Sequence, residues 1–370
     1  MKTVLVVGGG IGGMSCAIRL RALGFAVDLI DKDPGWRVYG TGITITGPTL
    51  RAFKQLGVLE EVKAVGFCSG NARVLTPTGE LVGSVQVPEL APDIPANGGI
   101  MRPALHQILS SRTRVEGVPV RLGVTLRSLE QDSSGVRVHT SDGATGEYDL
   151  VVGADGLHSQ LRGLLFPDAP VPNYTGQGCW RVVAPRPPEV DGAELYLGGP
   201  HKVGLNPCSP TQLYMFLLQR APGNPHVPGG DMLAMLRELM SSYGGRIGTI
   251  RSQLGPQSSI VYRPLETLLL PAPWYRGRIV LIGDAAHATT PHLASGAGMA
   301  VEDALVLAEE LIGLGSIESA LERFMERRWS RCRLVVETSV RIGELEVAGA
   351  DPETQQRLLG EASAALAAPI

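Results

Sequence analysis

The sequence is poor in the features that mark most specialised classes of protein. Aromatic residues make up 5% of its 370 positions and charged residues 19%, and the formal net charge of -3 gives no electrostatic basis for a nucleic-acid partner. There are only five cysteines, Cys16, Cys68, Cys179, Cys208 and Cys332, odd in number and never in C-x-x-C spacing. That excludes a disulfide framework, a dithiol redox pair and a structural zinc site, and suits a reducing compartment; no metal is expected. No run approaches the ~18 apolar residues that would span a bilayer. The first glycine turn follows Met1 so closely that no leader is expected either. The expectation is a soluble, cytoplasmic protein, monomeric or homodimeric, that handles a small molecule.

Glycine, in contrast, is abundant at 47 residues, as suits tight turns and close backbone approaches. The most informative stretch is residues 4–13, where the apolar run Val4-Leu5-Val6-Val7 breaks into Gly8-Gly9-Gly10-Ile11-Gly12-Gly13. Gly8, Gly10 and Gly13 stand at G-x-G-x-x-G spacing. The first lets the chain turn, the second lets backbone approach a pyrophosphate, and the third lets a helix pack on a strand. The helix expected over 14–23 aims its unpaired amides at that phosphate. A second apolar run, 26–30, ends in Asp31 and Lys32. A carboxylate there accepts ribose hydroxyls and repels a 2'-phosphate. NAD, NADP and FAD all share this turn, so the choice among dinucleotides comes from elsewhere.

The length suggests two domains or one domain with a large insertion. A second glycine-bearing segment, 40–44, is either a loop along an extended cofactor or an ordinary turn. A helix closed by Gly57 is expected over 48–59, a hairpin around the turn 76–79, and a helix behind Pro103. Strand-like segments follow at 118–129 and 135–140. Residues 148–156 form another apolar strand that ends in a glycine-flanked acid, Asp155, and residues 278–287 form a third, ending in Gly283-Asp284. Strand ends of this kind in one sheet place a ligand site along its carboxyl edge. Between them, residues 170–273 are proline-rich and alternate, which marks a second, mostly antiparallel layer with one helix near 232–240. Ala294-Ser295-Gly296-Ala297-Gly298 opens a further helix, running to about 312, whose small residues let backbone amides face a negatively charged oxygen. Amphipathic helical pattern continues over 317–346, followed by an alanine-rich helical tail.

Three separated motifs together resemble the FAD-dependent aromatic hydroxylases, the single-component flavoprotein monooxygenases that include salicylate, para-hydroxybenzoate and urate hydroxylases. Besides the glycine turn, residues 149–162 match the family's D-x-x-x-G-A-D-G-x-x-S-x-x-R segment through Asp149, Asp155, Gly156, Ser159 and Arg162. Residues 278–304 match G-R-V-x-L-x-G-D-A-A-H-x-x-x-P and E-D-A through Asp284, His287, Pro291, Glu302 and Asp303. The resemblance implies an α/β fold with a Rossmann-type FAD-binding domain (1–70, 98–170 and 275–315), an inserted, mostly antiparallel substrate-binding sheet domain (71–97 and 171–274) and a C-terminal helical segment (316–370). It also implies FAD contacts from Gly8, Gly10, Ile11, Gly12, Gly13, Asp31, Lys32, Thr44, Arg102, Leu126, Asp155, Gly283 and Asp284. Pro291 would sit at the flavin ring edge, and Ala294 to Gly298 would face the flavin pyrimidine. One departure stands out: the family usually has Gly-Gln-Gly where this chain has Ala294-Ser295-Gly296.

By the same resemblance, NAD(P)H reduces FAD, oxygen adds to give a C4a-hydroperoxide, and this transfers OH to an electron-rich aromatic ring. Lys202 and Tyr214 match a basic residue and a tyrosine that meet substrate in the urate hydroxylases, where a cation can hold the substrate ionised, and Arg181 and Tyr196 are further candidates for the substrate wall. Epoxidation and N-hydroxylation use the same intermediate and stay open. A NAD-dependent dehydrogenase leaves Asp155 and Asp284 idle, and a flavoprotein without turnover is the non-enzymatic alternative. The purified protein is expected to be yellow, with one non-covalent FAD per chain. Colourless protein that takes up no FAD, judged by absorbance in the flavin region, would overturn the resemblance.

Overall fold

Short valine- and leucine-rich runs without polar alternation suit strands buried on both faces, which is the environment of a parallel sheet. The computed structural model describes residues 2–38, 40–350 and 352–370. In it Thr3–Val7 lies between Ala26–Asp31 and Leu150–Gly153. Ile279–Leu281 extends the sheet on one side and Val120–Leu122 on the other, all parallel. The short strand Tyr275–Arg276 closes one edge antiparallel. Because the parallel strands run the same way, Gly8, Asp31, Asp155 and Asp284 all follow carboxyl ends and gather along one rim.

A second sheet of seven strands is built from Ile260–Thr267, Asn173–Pro185, Gln212–Arg220, Lys202–Pro207, Ala193–Tyr196, Asn71–Leu75 and Leu81–Gln86, in that spatial order. It is antiparallel except where Ala193–Tyr196 meets Asn71–Leu75. One face packs on Met232–Leu239 and Gly245–Gln253 around Trp180, Val182, Tyr196 and Leu205. Two helices, Gly296–Ile312 and the long Ile317–Ala348, pack against each other, and Pro352–Ala367 packs on the latter. No helix among the described residues is long and apolar enough to cross a membrane.

Several local expectations change. The first helix begins inside the glycine motif, at Ile11, and ends at Ala22. The segment at 118–129 is two strands in different sheets, because Gly123 turns the chain at φ 71°. Val120–Leu122 joins the parallel sheet, while Leu126–Gln131 pairs with Val136–Thr140 in a small antiparallel one. The glycine-bearing segment near 40–44 is neither loop nor turn but a strand, Gly42–Thr46, paired with Asn97–Met101. Gly57, at φ 81°, ends Gly47–Leu56, and a short helix, Leu59–Val65, follows it.

Behind the rim lies a buried charge cluster. Asp303 accepts from the Gly283 amide at 2.8 Å, pairs with His287 Nε2 at 2.6 Å and accepts from Arg328 Nε at 2.8 Å. Arg328 Nη1 reaches Glu302 at 2.8 Å, and Arg331 Nε meets the same carboxylate at 2.8 Å. Burial disfavours the Asp303 anion, but His287 and Arg328 outweigh it and hold that carboxyl well below the ordinary range. His287, Asp303 and Cys332 are close enough to resemble a metal triad, yet Arg328 already occupies that acid. Removing one partner of a buried ion pair costs about 3–5 kcal/mol. Arg328→Leu should therefore lower the urea midpoint by a large part of the chain's stability, whereas a shift worth less than ~1 kcal/mol would show the cluster to be hydrated and weak.

Candidate functional site

The glycine loop separates its roles by what a side chain would strike. A Cβ on Gly13 would lie 1.8 Å from the Gly8 carbonyl oxygen, and one on Gly8 would lie 2.3 Å from that of Ala154. These two glycines let the helix and the next strand close on the turn. Nothing lies within 4 Å of a Cβ on Gly10, so that position faces open space where backbone can meet a ligand. Gly12 and Gly283 both back onto Ala300 of the helix Gly296–Ile312, at 3.2 and 3.0 Å from its Cβ. Ala300 thus joins the glycine loop and the Gly-Asp loop.

Beside the loop is a cavity of about 110 Å³ between Gly10, Ile11, Asp31, Trp36, Arg102 and His106. Asp31 accepts from the Gly9 amide at 2.6 Å and the Asp33 amide at 2.8 Å, so it shapes the loop as well as facing the cavity. Trp36 donates its indole N–H to the Gly9 carbonyl at 2.8 Å. The buried Nε2 of His106 has no hydrogen-bond partner among the described residues, and burial lowers that imidazole's pKa. Lys32 is exposed next to Asp31.

Asp155 differs from Asp31 and Asp284. Its carboxylate accepts from Ser159 Oγ at 2.6 Å and the Leu161 amide at 3.1 Å, while Ser159 caps the helix Gln160–Leu165. Arg162 then donates to the carbonyls of Leu157 and Ala285 at 2.8 and 2.9 Å, which ties this loop to the Gly-Asp loop. The acid shapes the wall and is turned into its own loop. Leu126 is a core side chain whose carbonyl accepts from Gln160.

Asp284 is the acid that faces outward. It is exposed between buried neighbours, Gly283 takes φ 59° to present it, and its carboxylate has no hydrogen-bond or ion-pair partner among the described residues. Desolvation by the surrounding cleft raises its pKa, against the pull of His287 and Arg102. The Arg102 and Arg181 side chains likewise have no hydrogen-bond or ion-pair partner among the described residues. Desolvation and then the charge of Arg181 lower the pKa of Arg102. Two unpaired cations, an unpaired acid, an open Gly10 and an orphaned His106 are what a diphosphate and polyol ligand such as FAD would satisfy.

Pro291 opens a short turn, Pro291–Leu293, ahead of Gly296–Ile312. Ala294 sits in the left-handed region at φ 49°, where glycine is freely tolerated and alanine is not, which explains why the family's usual glycine there is the less strained choice. Ser295 donates to Leu293 O at 2.8 Å, and Gly298 is needed because its Cβ would lie 2.2 Å from Thr49 Oγ1. The first helical amides, from Gly296, Ala297 and Gly298, have no partner inside the helix.

In the inserted sheet, strand alternation sorts the substrate candidates. Tyr214 faces the Gly42–Thr46 strand: a Cβ on Gly42 would lie 2.1 Å from its ring, and its hydroxyl meets Thr44 Oγ1 at 2.6 Å and Asn206 Nδ2 at 3.2 Å. Thr44 therefore serves this contact. Lys202 pairs with Glu346 Oε1 at 2.7 Å. Tyr196 does not belong with them. It pairs across from Val203, points to the opposite face, is fully buried in the helix-covered core and donates to Glu194 at 3.0 Å. The period-two alternation that removes Tyr196 was available in the sequence, but not the face that each strand presents. Trp36, His106, Asn206 and Glu346 gave no signal there, since each acts through a partner distant in the chain.

Comparison with known proteins agrees with this geometry. The family model described as FAD binding domain matches residues 1–224 and 267–340. The chain is 33% identical to aurachin C monooxygenase/isomerase of Stigmatella aurantiaca, over 93% of this chain and 89% of that protein. It is 31% identical to 2-heptyl-3-hydroxy-4(1H)-quinolone synthase of Pseudomonas aeruginosa, again over 93% and 89%. In fold it matches Klebsiella pneumoniae HpxO, solved with FAD and uric acid, with a TM-score of 0.85 at 23% identity, covering 99% of this chain and 95% of that one.

Asp284→Ala removes the unpaired carboxylate. With charge-assisted hydrogen bonds worth ~1.5–3 kcal/mol, the FAD dissociation constant should rise by about one to two decades. Asp31→Ala should show a milder loss. A folded Asp284→Ala protein that titrates with FAD like wild type would reduce Asp284 to a strand-end residue.

Proposed function

This chain belongs to the FAD-dependent aromatic hydroxylase family, and from that premise we propose that it is a monooxygenase taking electrons from NAD(P)H and placing one oxygen atom of O2 on a small aromatic or N-heteroaromatic molecule. The observation that carries the proposal is the unpaired Asp284, presented at the rim of the parallel sheet by Gly283, which rests with Gly12 of the glycine loop on Ala300 of the helix Gly296–Ile312. When bound, FAD supplies the redox and oxygen-transfer chemistry. The protein's part is to bind, orient and keep dry.

The glycine loop, Asp31, Arg102 and Asp284 would hold the cofactor's phosphates and hydroxyls. The amides of Gly296 to Gly298, at the positive end of a helix, would stabilise negative charge on the reduced cofactor. Pro291, just ahead of that helix start, would contribute to the wall of the same site. Tyr214 is buried and its phenol pKa is raised by that burial, so it stays protonated and orients a substrate by hydrogen bonding without acting as a base. Lys202 and Arg181 stand on the same face of the sheet as Tyr214, one on each of the two strands that flank it. No second G-x-G-x-x-G is present in the sequence, so the nicotinamide binds without a Rossmann unit of its own. The relative named for a 4(1H)-quinolone, and the uric acid in the HpxO structure, favour a nitrogen heteroaromatic over a simple phenol.

Aerobic NADH and NADPH oxidation, screened over N-heteroaromatics, phenols and aromatic acids, tests the proposal. Substrate-stimulated oxidation with a hydroxylated product is expected, and none with any class would defeat it. Tyr214→Phe should keep its FAD, lose turnover or raise KM about tenfold, and divert NAD(P)H oxidation toward peroxide. Unchanged kinetics and coupling would move the substrate away from Tyr214.

A further inference from the structure

Glu346, in the last turn of the long helix Ile317–Ala348, takes part in no step described so far, yet it reaches the loop beside Pro291. Its Oε1 pairs with Lys202 Nζ at 2.7 Å, and its Oε2 meets His292 Nε2 at 3.1 Å and Gln177 Nε2 at 3.4 Å. His292 Nδ1 is in turn bonded to Thr290 Oγ1 at 2.8 Å. One carboxylate therefore joins the inserted sheet to the residue after Pro291. A helix-interior glycine makes the approach possible. A Cβ on Gly343 would lie 2.9 Å from both His292 Cε1 and Gln177 Oε1, so any other residue would push those two side chains out of their present places against Glu346. Glycine inside a helix is intrinsically less favourable than alanine. Its presence fits a backbone held close for the sake of the side chain one turn further on.

The pairing changes what Lys202 can offer. Burial works against the Glu346 anion, but the His292 hydrogen bond and the Lys202 charge win and take its pKa down to about 2, so the acid is charged at any working pH. The ammonium is then compensated from within the protein. The other cations of the cleft, Arg181 and Arg102, lie elsewhere. Arg181 is on Asn173–Pro185, which is separated from the Lys202 strand by Gln212–Arg220.

We propose that Glu346 is a specificity-determining residue: by holding Lys202 in an internal ion pair next to Pro291 it withholds that cation from the substrate, so this edge accepts an uncharged heteroaromatic ring and disfavours one bearing a carboxylate. The proposal rests on the monooxygenase reading and names the charge class of its substrate. Specificity here is the difference between two affinities, and the compensated pair removes the attraction that an anion would otherwise find. Glu346 acts through Lys202 and His292 as a positioning residue.

The test uses FAD-loaded protein and a matched pair of probes, 4-hydroxyquinoline and 4-hydroxyquinoline-2-carboxylate, with dissociation constants read from perturbation of the flavin spectrum. Wild type should bind the neutral probe about tenfold or more tightly than the carboxylate. Glu346→Gln, which keeps the shape and frees Lys202, should tighten carboxylate binding by about tenfold. Lys202→Met/Glu346→Gln should lose that gain, because a neutral pair then replaces an ion pair. Glu346→Asp should keep the wild-type order. A wild type that prefers the carboxylate, a Glu346→Gln protein that holds FAD without tightening on the anion, or a double variant that retains the gain would each overturn the proposal. If Glu346→Gln does not fold, the wild-type order still decides, since a wild type that prefers the carboxylate overturns the proposal. FAD uptake is read before any probe is added, so its failure tells against the monooxygenase reading and is separable from an unshifted preference in FAD-loaded protein.

Discussion

The carboxylate of Asp303 holds the ligand-bearing end of the sheet in one piece. It takes the amide of Gly283, the ring of His287 and the guanidinium of Arg328 at once, with no exposure to water. Gly283 needs that hold because it turns at φ 59° to present Asp284. A buried ion cluster is weak evidence for stability by itself, since desolvating the charges offsets much of their attraction. Here the network also fixes a backbone amide whose neighbour carries the exposed acid. Its value is positional: it holds still the loop from which Asp284 projects.

A similar economy of backbone runs through the site. Gly12 and Gly283 rest on Ala300, Gly298 on Thr49, Gly42 under Tyr214 and Gly343 on His292. At Gly42 and Gly298 a Cβ would come within 2.1 and 2.2 Å of its neighbour, while at Gly12, Gly283 and Gly343 the neighbouring side chain would have to give way. Ala294 and Trp36 take left-handed conformations without being glycine, Ala294 in the segment that leads into the helix Gly296–Ile312.

The two tyrosines of the inserted sheet show how fold and function divide. Tyr196 and Tyr214 have equal claims by composition. Pairing registers put Tyr196 with Val203 and the helix-covered core, and put Tyr214 opposite Asn206 on the face that meets Thr44. Lys202 shares that second face, but its charge is met by a residue from the C-terminal helix. A substrate wall is therefore defined as much by what already pairs its polar groups as by which residues line it.

The sequence by itself determined the parts whose signals are local. The glycine turn, the three apolar strands ending in Asp31, Asp155 and Asp284, the small-residue helix start at Gly296 and the antiparallel character of the insertion all follow from spacing and period, which the backbone obeys over a few residues. Family membership was legible for the same reason. Tertiary structure alone decided that Asp155 is consumed by its own loop while Asp284 stays unpaired, that residues 118–129 divide between two sheets at Gly123, that Tyr196 points away, and that Glu346 reaches across the chain to Lys202 and His292. These outcomes depend on which face a strand turns inward and on which partners, far apart in sequence, find each other's charge. No periodicity within one segment carries that information, because hydrogen bonds and ion pairs between elements are set only once packing has fixed the distances between them.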